Sequence, residues 1–226
     1  MISHKMRFTF VKSGILFELD SYMQHAVQVE SLLNDEVKAF EDRYKNIAAT
    51  MDQDQAEEYL EYMSDEYWEL ADKLPSIQRK SELISIYTLL ENGLNQICSI
   101  YEYHLSNPVK LADLSSHGII DKSKKYLEKV AQINFPSQTS DWEEIKKVQQ
   151  IRNAFVHRDG LIKSNNQEII NYVNRSNYLS LKNQSKVVIE KGFTLHCLNL
   201  FRDFFVELFT RIQLRSAPLT KLGCLT

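Results

Sequence analysis

The feature that most narrows the choice of fold is helical periodicity sustained over long stretches. From Ser76 to Leu105 ("SIQRKSELISIYTLLENGLNQICSIYEYHL"), Leu83, Ile86, Tyr87, Leu90, Leu94, Ile97, Ile100 and Tyr101 recur at three- and four-residue steps. Such spacing makes one wide apolar face on an α-helix. The same steps run from about Phe17 to Met51, through Leu19, Tyr22, Met23, Ala26, Val29, Leu32, Leu33, Val37, Phe40 and Tyr44. They return from about Asp54 to Leu74, through Tyr59, Tyr62, Met63, Tyr67 and Leu70. Only 6 Gly and 4 Pro punctuate the 226 residues, which argues against a turn-rich all-β chain. An all-α bundle is expected.

Local signals set the element ends. Pro75 opens the strongest helix, because proline is tolerated in a first turn, and "SNP" (106–108) closes it. A shorter helix follows at about Asp121 to Val130, then one opened by a Ser140/Glu143 capping box and closed by Gly160. "TLHCLNLFRDFFVELFTRI" is the last apolar helix. Two stretches read as extended: "RFTFV" (Arg7 to Val11), a short strand or ordered arm, and a short β-hairpin near residues 178–193. Leu90, Leu94, Ile97, Val148, Phe155, Phe204 and Leu208 sit at the centres of the apolar stripes and are expected in the core. The organisation expected is a helical extension over 1–74, a bundle over 75–215 and a tail over 216–226.

Composition removes several function classes. A net charge of −3 confines any nucleic-acid contact to a local patch. Cys98, Cys197 and Cys224 show no CxxC spacing and no even count, so neither a disulfide framework nor structural zinc is expected. Cys98 and Cys197 fall in apolar stretches and read as buried thiols. No apolar run approaches the roughly 18 residues of a membrane span, and the first residues carry no apolar stretch suited to a signal peptide. A cytoplasmic location is expected, in which the sequons at Asn174 and Asn183 have no meaning. The carboxylates of 54–74 scatter round their helix, as a solvated face does, and do not converge on a metal.

The chemistry concentrates in "IRNAFVHRDG" (151–160). With Trp142 at zero on a helical wheel, Ile145, Val148, Ile151, Phe155 and Val156 fall in an arc from about 180° to 320°. Arg152 falls at about 280°, inside that arc, while Asn153 and His157 fall at about 20° and 60°, past its edge. A guanidinium on an apolar face needs a partner. Glu91, embedded in the strongest helix, is the candidate internal carboxylate; exposed backbone carbonyls and a bound phosphate are the other candidates. "HRD" (157–159) echoes the kinase catalytic loop, but no Gly-rich loop or DFG accompanies it and the triplet ends a helix.

Arg152, Asn153 directly after it, and His157 four residues later resemble the signature of the HEPN superfamily of helical bundles. The resemblance extends over about Pro75 to Ile212. "SIYTLLENGLNQICSIY" is similar to the family's long apolar helix with an embedded acidic residue, and "WEEIKKVQQIRNAFVHRDGLI" to its motif helix. It implies metal-independent RNA cleavage without a cofactor, with Arg152 and His157 catalytic, Asn153 orienting the histidine or binding phosphate, and Glu91 in support. The residue types suit that chemistry. A histidine with an ordinary pKa of about 6.5 moves protons near neutrality, and arginine's planar fork holds phosphate oxygens. The resemblance also implies a homodimer with motif helices meeting on a two-fold axis, an RNA substrate, and a toxin or antiphage role with an antitoxin or defence-system partner. Two readings compete: a non-catalytic HEPN scaffold that binds a nucleotide, RNA or protein, and a helical interaction protein dimerising through its acidic N-terminal helices. Fold alone does not separate the three.

Overall fold

The computed structural model describes residues 4–105, 108–116 and 118–216. Of the described residues 77% are helical, and they hold one small two-stranded sheet, so the all-α reading holds. In chain order come α1 (His4–Ala48), α2 (Gln53–Trp68), α3 (Leu74–His104), α4 (Ile119–Lys129), α5 (Ser140–Arg158), α6 (Gln167–Arg175), β1 (Leu179–Lys182), β2 (Lys186–Ile189) and α7 (Phe193–Ser216). No helix among the described residues is long and apolar enough to cross a membrane. Of the expected tail, residues 217–226, including Cys224, lie outside the described residues.

The chain forms two compact units. The first comprises Met1–Leu19, Tyr87–Lys146 and Asn199–Thr226; the second comprises Asp20–Ile86 and Lys147–Leu198. The unit boundaries fall inside α1, α3, α5 and α7, and the segment 1–74 contributes to both units.

The first unit is built round aromatic packing from α7. Phe204 lies against Trp142 (ring centroids 5.6 Å apart) and Phe135 (5.7 Å), and Phe135 meets Trp142 edge-on at 4.8 Å. Leu90, Leu94 and Ile97 of α3 and Leu208 of α7 are fully buried, as their central stripe positions require. Each such side chain contributes roughly 1.5–3 kcal/mol by leaving water. Gly93 lets α3 approach α7 closely: a Cβ there would stand 2.6 Å from the Phe205 ring. Cys98 is buried, its thiol pushed up to about 12 by desolvation, as suits an inert core thiol.

The second unit buries Val148, Ile151, Ala154 and Phe155 of α5, Ile169 and Val173 of α6, and Leu179, Val187 and Ile189 of the hairpin. The strands pair antiparallel with Leu179 opposite Ile189 and Lys182 opposite Lys186. Asn183 and Gln184 turn the chain with φ of 52° and 60°, a conformation that asparagine tolerates better than most residues. Arg79 clamps Glu30 with two hydrogen bonds (2.6 and 3.0 Å) and also donates to the carbonyl of Ile189 (3.4 Å).

Several local expectations are corrected. "RFTFV" is helical: Phe8 is buried against Tyr101 (5.1 Å) while Phe10 is 63% exposed. Phe8, Ile15 and Leu19 continue a helical face that outweighs a five-residue alternation. Pro75 stands in the first turn of α3, as expected, but no loop precedes it. The backbone stays helical from α2 through a π-turn, Glu69–Lys73, into α3, and the Leu74 N–H donates five residues back to Glu69. Proline lacks an N–H and its ring crowds the carbonyl four residues earlier, and a π-turn accommodates both effects. The cap of α5 is Thr139, not Ser140: its hydroxyl accepts from the Trp142 N–H at 3.3 Å, while Ser140 lies inside the helix. Val156 is 46% exposed, because the last turn of α5 emerges from the core.

Candidate anion-binding site at the end of α5

The last turn of α5 carries His157 and Arg158 into solvent, and the chain then turns sharply. Asp159 and Gly160 both take positive φ (49° and 84°), and the Gly160 N–H donates to the carbonyl of Ala154 at 3.0 Å. Glycine is required at 160 twice over: for its backbone angle, and because a Cβ would stand 2.7 Å from the Phe155 ring. The hairpin anchors the turn. The Val187 N–H donates to the carbonyl of Gly160 (3.0 Å), and the Ile162 N–H donates to that of Ser185 (2.9 Å). The end of the helix is thereby held against a rigid strand pair.

Beside this turn opens a cleft of about 470 Å³ lined by Asn153, His157, Arg158, Lys163 and Asn166, all from the second unit. Asn153 and His157, predicted from the motif, share it. Arg152 stands one bond behind: half-buried, it donates from Nη1 to Asn153 Oδ1 at 2.9 Å. That leaves the Asn153 amide nitrogen, a double donor, as the group it can offer a ligand. Glu91 is half-buried on α3 and belongs to the first unit.

The lining has no carboxylate, two permanent cations and three further groups able to donate. Two other cavities, of about 310 and 300 Å³, each include a carboxylate, Glu102 in one and Glu30 in the other. Asp159, the acidic residue next to Arg158, is engaged elsewhere. Lys186 donates to it at 2.5 Å and Lys80 lies 3.6 Å away, and the two lysines, Lys186 first, hold its carboxyl below the ordinary 3.8. Arg158 is therefore not neutralised by its neighbour. Excess positive charge with no acidic lining suits an anion such as a phosphate. Among the described residues, no group of three or more His, Cys, Asp or Glu side chains is placed to hold a metal ion.

The motif spacing does not point to Lys163 or Asn166. Asn166 caps α6, accepting from the Ile169 N–H at 3.5 Å, and α6 buries Ile169 and Val173. An asparagine followed by apolar residues at helical spacing is the signal that locates this helix and the loop before it. The charge on Lys163 acquires meaning only through the fold that brings it beside His157. In comparison with known proteins, no family model matches the chain, nor does any curated protein or solved structure.

Proposed function

We propose that the protein is a metal-independent endoribonuclease of the HEPN type, and that the cleft at the end of α5 holds the RNA backbone. The observation that carries this reading is the shared lining: His157 and Asn153 stand with Arg158 and Lys163 in one open cleft without a carboxylate. In the reaction, the substrate's 2′-oxygen bonds to its own phosphorus and the bond from phosphorus to the 5′-oxygen breaks. His157 takes the 2′ proton, the leaving 5′-oxygen gains one, and Arg158 offsets the added negative charge. The products are a 2′,3′-cyclic phosphate and a 5′-hydroxyl. Arg152 acts through Asn153, holding the amide so that its nitrogen faces phosphate oxygens. A homodimer places two such helices together and supplies a second His157 to protonate the leaving oxygen. A role as a toxin or antiphage effector, with an antitoxin or defence partner, follows from the same family likeness.

One observation favours the scaffold alternative: Arg152 is tied to Asn153 and does not itself line the cleft. The test is RNA cleavage by purified protein in EDTA. Wild type is expected to cut, and His157→Ala to lose about 10²–10⁴-fold in rate while still binding RNA. A 2′-deoxy nucleotide at the cut site is expected to block the reaction. Dependence on added Mg²⁺, or equal cleavage of the 2′-deoxy strand, overturns the mechanism. A folded protein that binds a partner through this cleft and cuts nothing makes the scaffold reading the better one.

A further inference from the structure

The loop between α5 and α6 is held at Ile162 and at Asn166. Ile162 is buried, and its N–H is bonded to the hairpin. The Asn166 N–H donates to the carbonyl of Lys163 at 2.9 Å. The Asn166 side chain is committed at both ends, accepting from Ile169 and donating from Nδ2 to Gln150 Oε1 at 2.9 Å. Asn166 thus works as a positioning residue that ties the loop to α5. What the loop presents is Lys163, which is exposed and lines the cleft. Among the described residues, no hydrogen bond or ion pair engages its ammonium group. Because the loop is held on both sides of Lys163, its backbone loses little conformational freedom when the ammonium meets an anion. The cleft's volume, about 470 Å³, falls within the roughly 300–1,000 Å³ of ligand-sized pockets and far exceeds the ~30 Å³ share of one water. It holds more than a single phosphate group.

We propose that Lys163 forms a second phosphate subsite, which binds the backbone phosphate next to the one at His157, so that the cleft takes an extended single strand. This rests on the reading of the cleft as an RNA site. Lys163 is a binding residue in this scheme and touches no reacting atom.

The experiment measures binding of an uncleavable single-stranded 2′-deoxy oligonucleotide by fluorescence anisotropy over a series of salt concentrations, using the full chain. Each cation that contacts a single strand contributes about 0.7 to the slope of log affinity against log salt. Lys163→Ala is expected to lower the slope by about that amount, and Lys163→Arg to preserve it. On cleavable RNA, Lys163→Ala is expected to raise KM and leave kcat unchanged. An unchanged slope, or no binding of the strand by wild type, overturns the subsite. A fall in kcat at constant KM also overturns it, because Lys163 then acts at the scissile phosphate. Wild type that binds the strand but cuts no RNA removes the ribonuclease reading, and the slope still decides the subsite. Wild type that cuts RNA, with a Lys163→Ala slope equal to its own, removes the subsite alone.

Discussion

Helix α5 buries Trp142, Ile145, Val148, Ile151, Ala154 and Phe155, whereas α2, sixteen residues long, buries none of its residues. Both show apolar residues at helical spacing. The difference lies in what opposes each stripe. On α2 the stripe is largely tyrosine, and Tyr62 is 81% exposed. Its contacts are a stack of Tyr59 on Tyr44 (5.9 Å), a tilted pair of Tyr67 with Phe40 (5.6 Å) and an ion pair from Arg43 to Glu66 (2.5 Å). Its start is fixed by a reciprocal capping box between Asp52 and Gln55. Helix α2 is thus held by its cap and by partly wet aromatic contacts, while α5 is held by closed apolar packing. Elements with little buried apolar contact open most readily, so α2 belongs at the low-stability end and α5 at the high end.

The largest expected effect tests the α5 side of that contrast. Phe155 is buried, and its ring lies under the turn at Gly160. Phe155→Ala is expected to cost about 3–5 kcal/mol in chemical denaturation. A loss under about 0.5 kcal/mol, the range of ordinary surface changes, would show that this face of α5 is not core.

A smaller effect tests the α2 side. Asp52→Ala removes the side chain that accepts from the Gln55 N–H at 2.9 Å and is expected to cost about 0.5–2 kcal/mol. The loss should appear as faster amide exchange confined to α2, with the midpoint of global unfolding nearly unmoved. A global shift as large as that of Phe155→Ala would mean that α2 unfolds with the core, and the comparison would fail.

The smallest effect sharpens the contrast at the end of α5, where ion pairs assist the packing. Lys186, then Lys80, lower the pKa of Asp159 in the folded chain. A carboxyl whose folded pKa is depressed contributes stability above its unfolded value, and that contribution is lost as pH falls through the folded pKa. Asp159 is 70% exposed, so solvent screens the effect. Carboxyl NMR titration should find its midpoint below 3.8, with Lys186→Met moving it upward. A wild-type midpoint at the ordinary value would show that these lysines do not hold the turn.

Much of the architecture is legible in the order of residues alone. Repeating apolar steps locate α1, α3, α5 and α7 because burial on one face of a helix imposes its period directly on the residues. The hairpin near 178–193 is legible from the polar turn that separates Leu179 and Leu181 from the β-branched Val187, Val188 and Ile189. The core positions Leu90, Leu94, Ile97, Val148, Phe155, Phe204 and Leu208 are all buried, since each lies at the middle of its stripe. Short signals mislead where two local patterns coincide. Arg7 to Val11 alternates but also continues a helix, and Thr139 and Ser140 are both able to cap.

The candidate site divides in the same way. Arg152, Asn153 and His157 stand out because four residues make about one helical turn, so their mutual placement is set by α5 alone. The sequence by itself determined that an arginine and an asparagine would sit side by side, one turn before a histidine. Only the tertiary structure decided what surrounds them. Lys163 reaches the cleft because the hairpin and α6 pin a loop, and Asp159 is drawn away from Arg158 by Lys186 of β2 and Lys80 of α3. Contacts between residues far apart in the chain depend on packing among several elements at once, and no spacing rule within one helix encodes them.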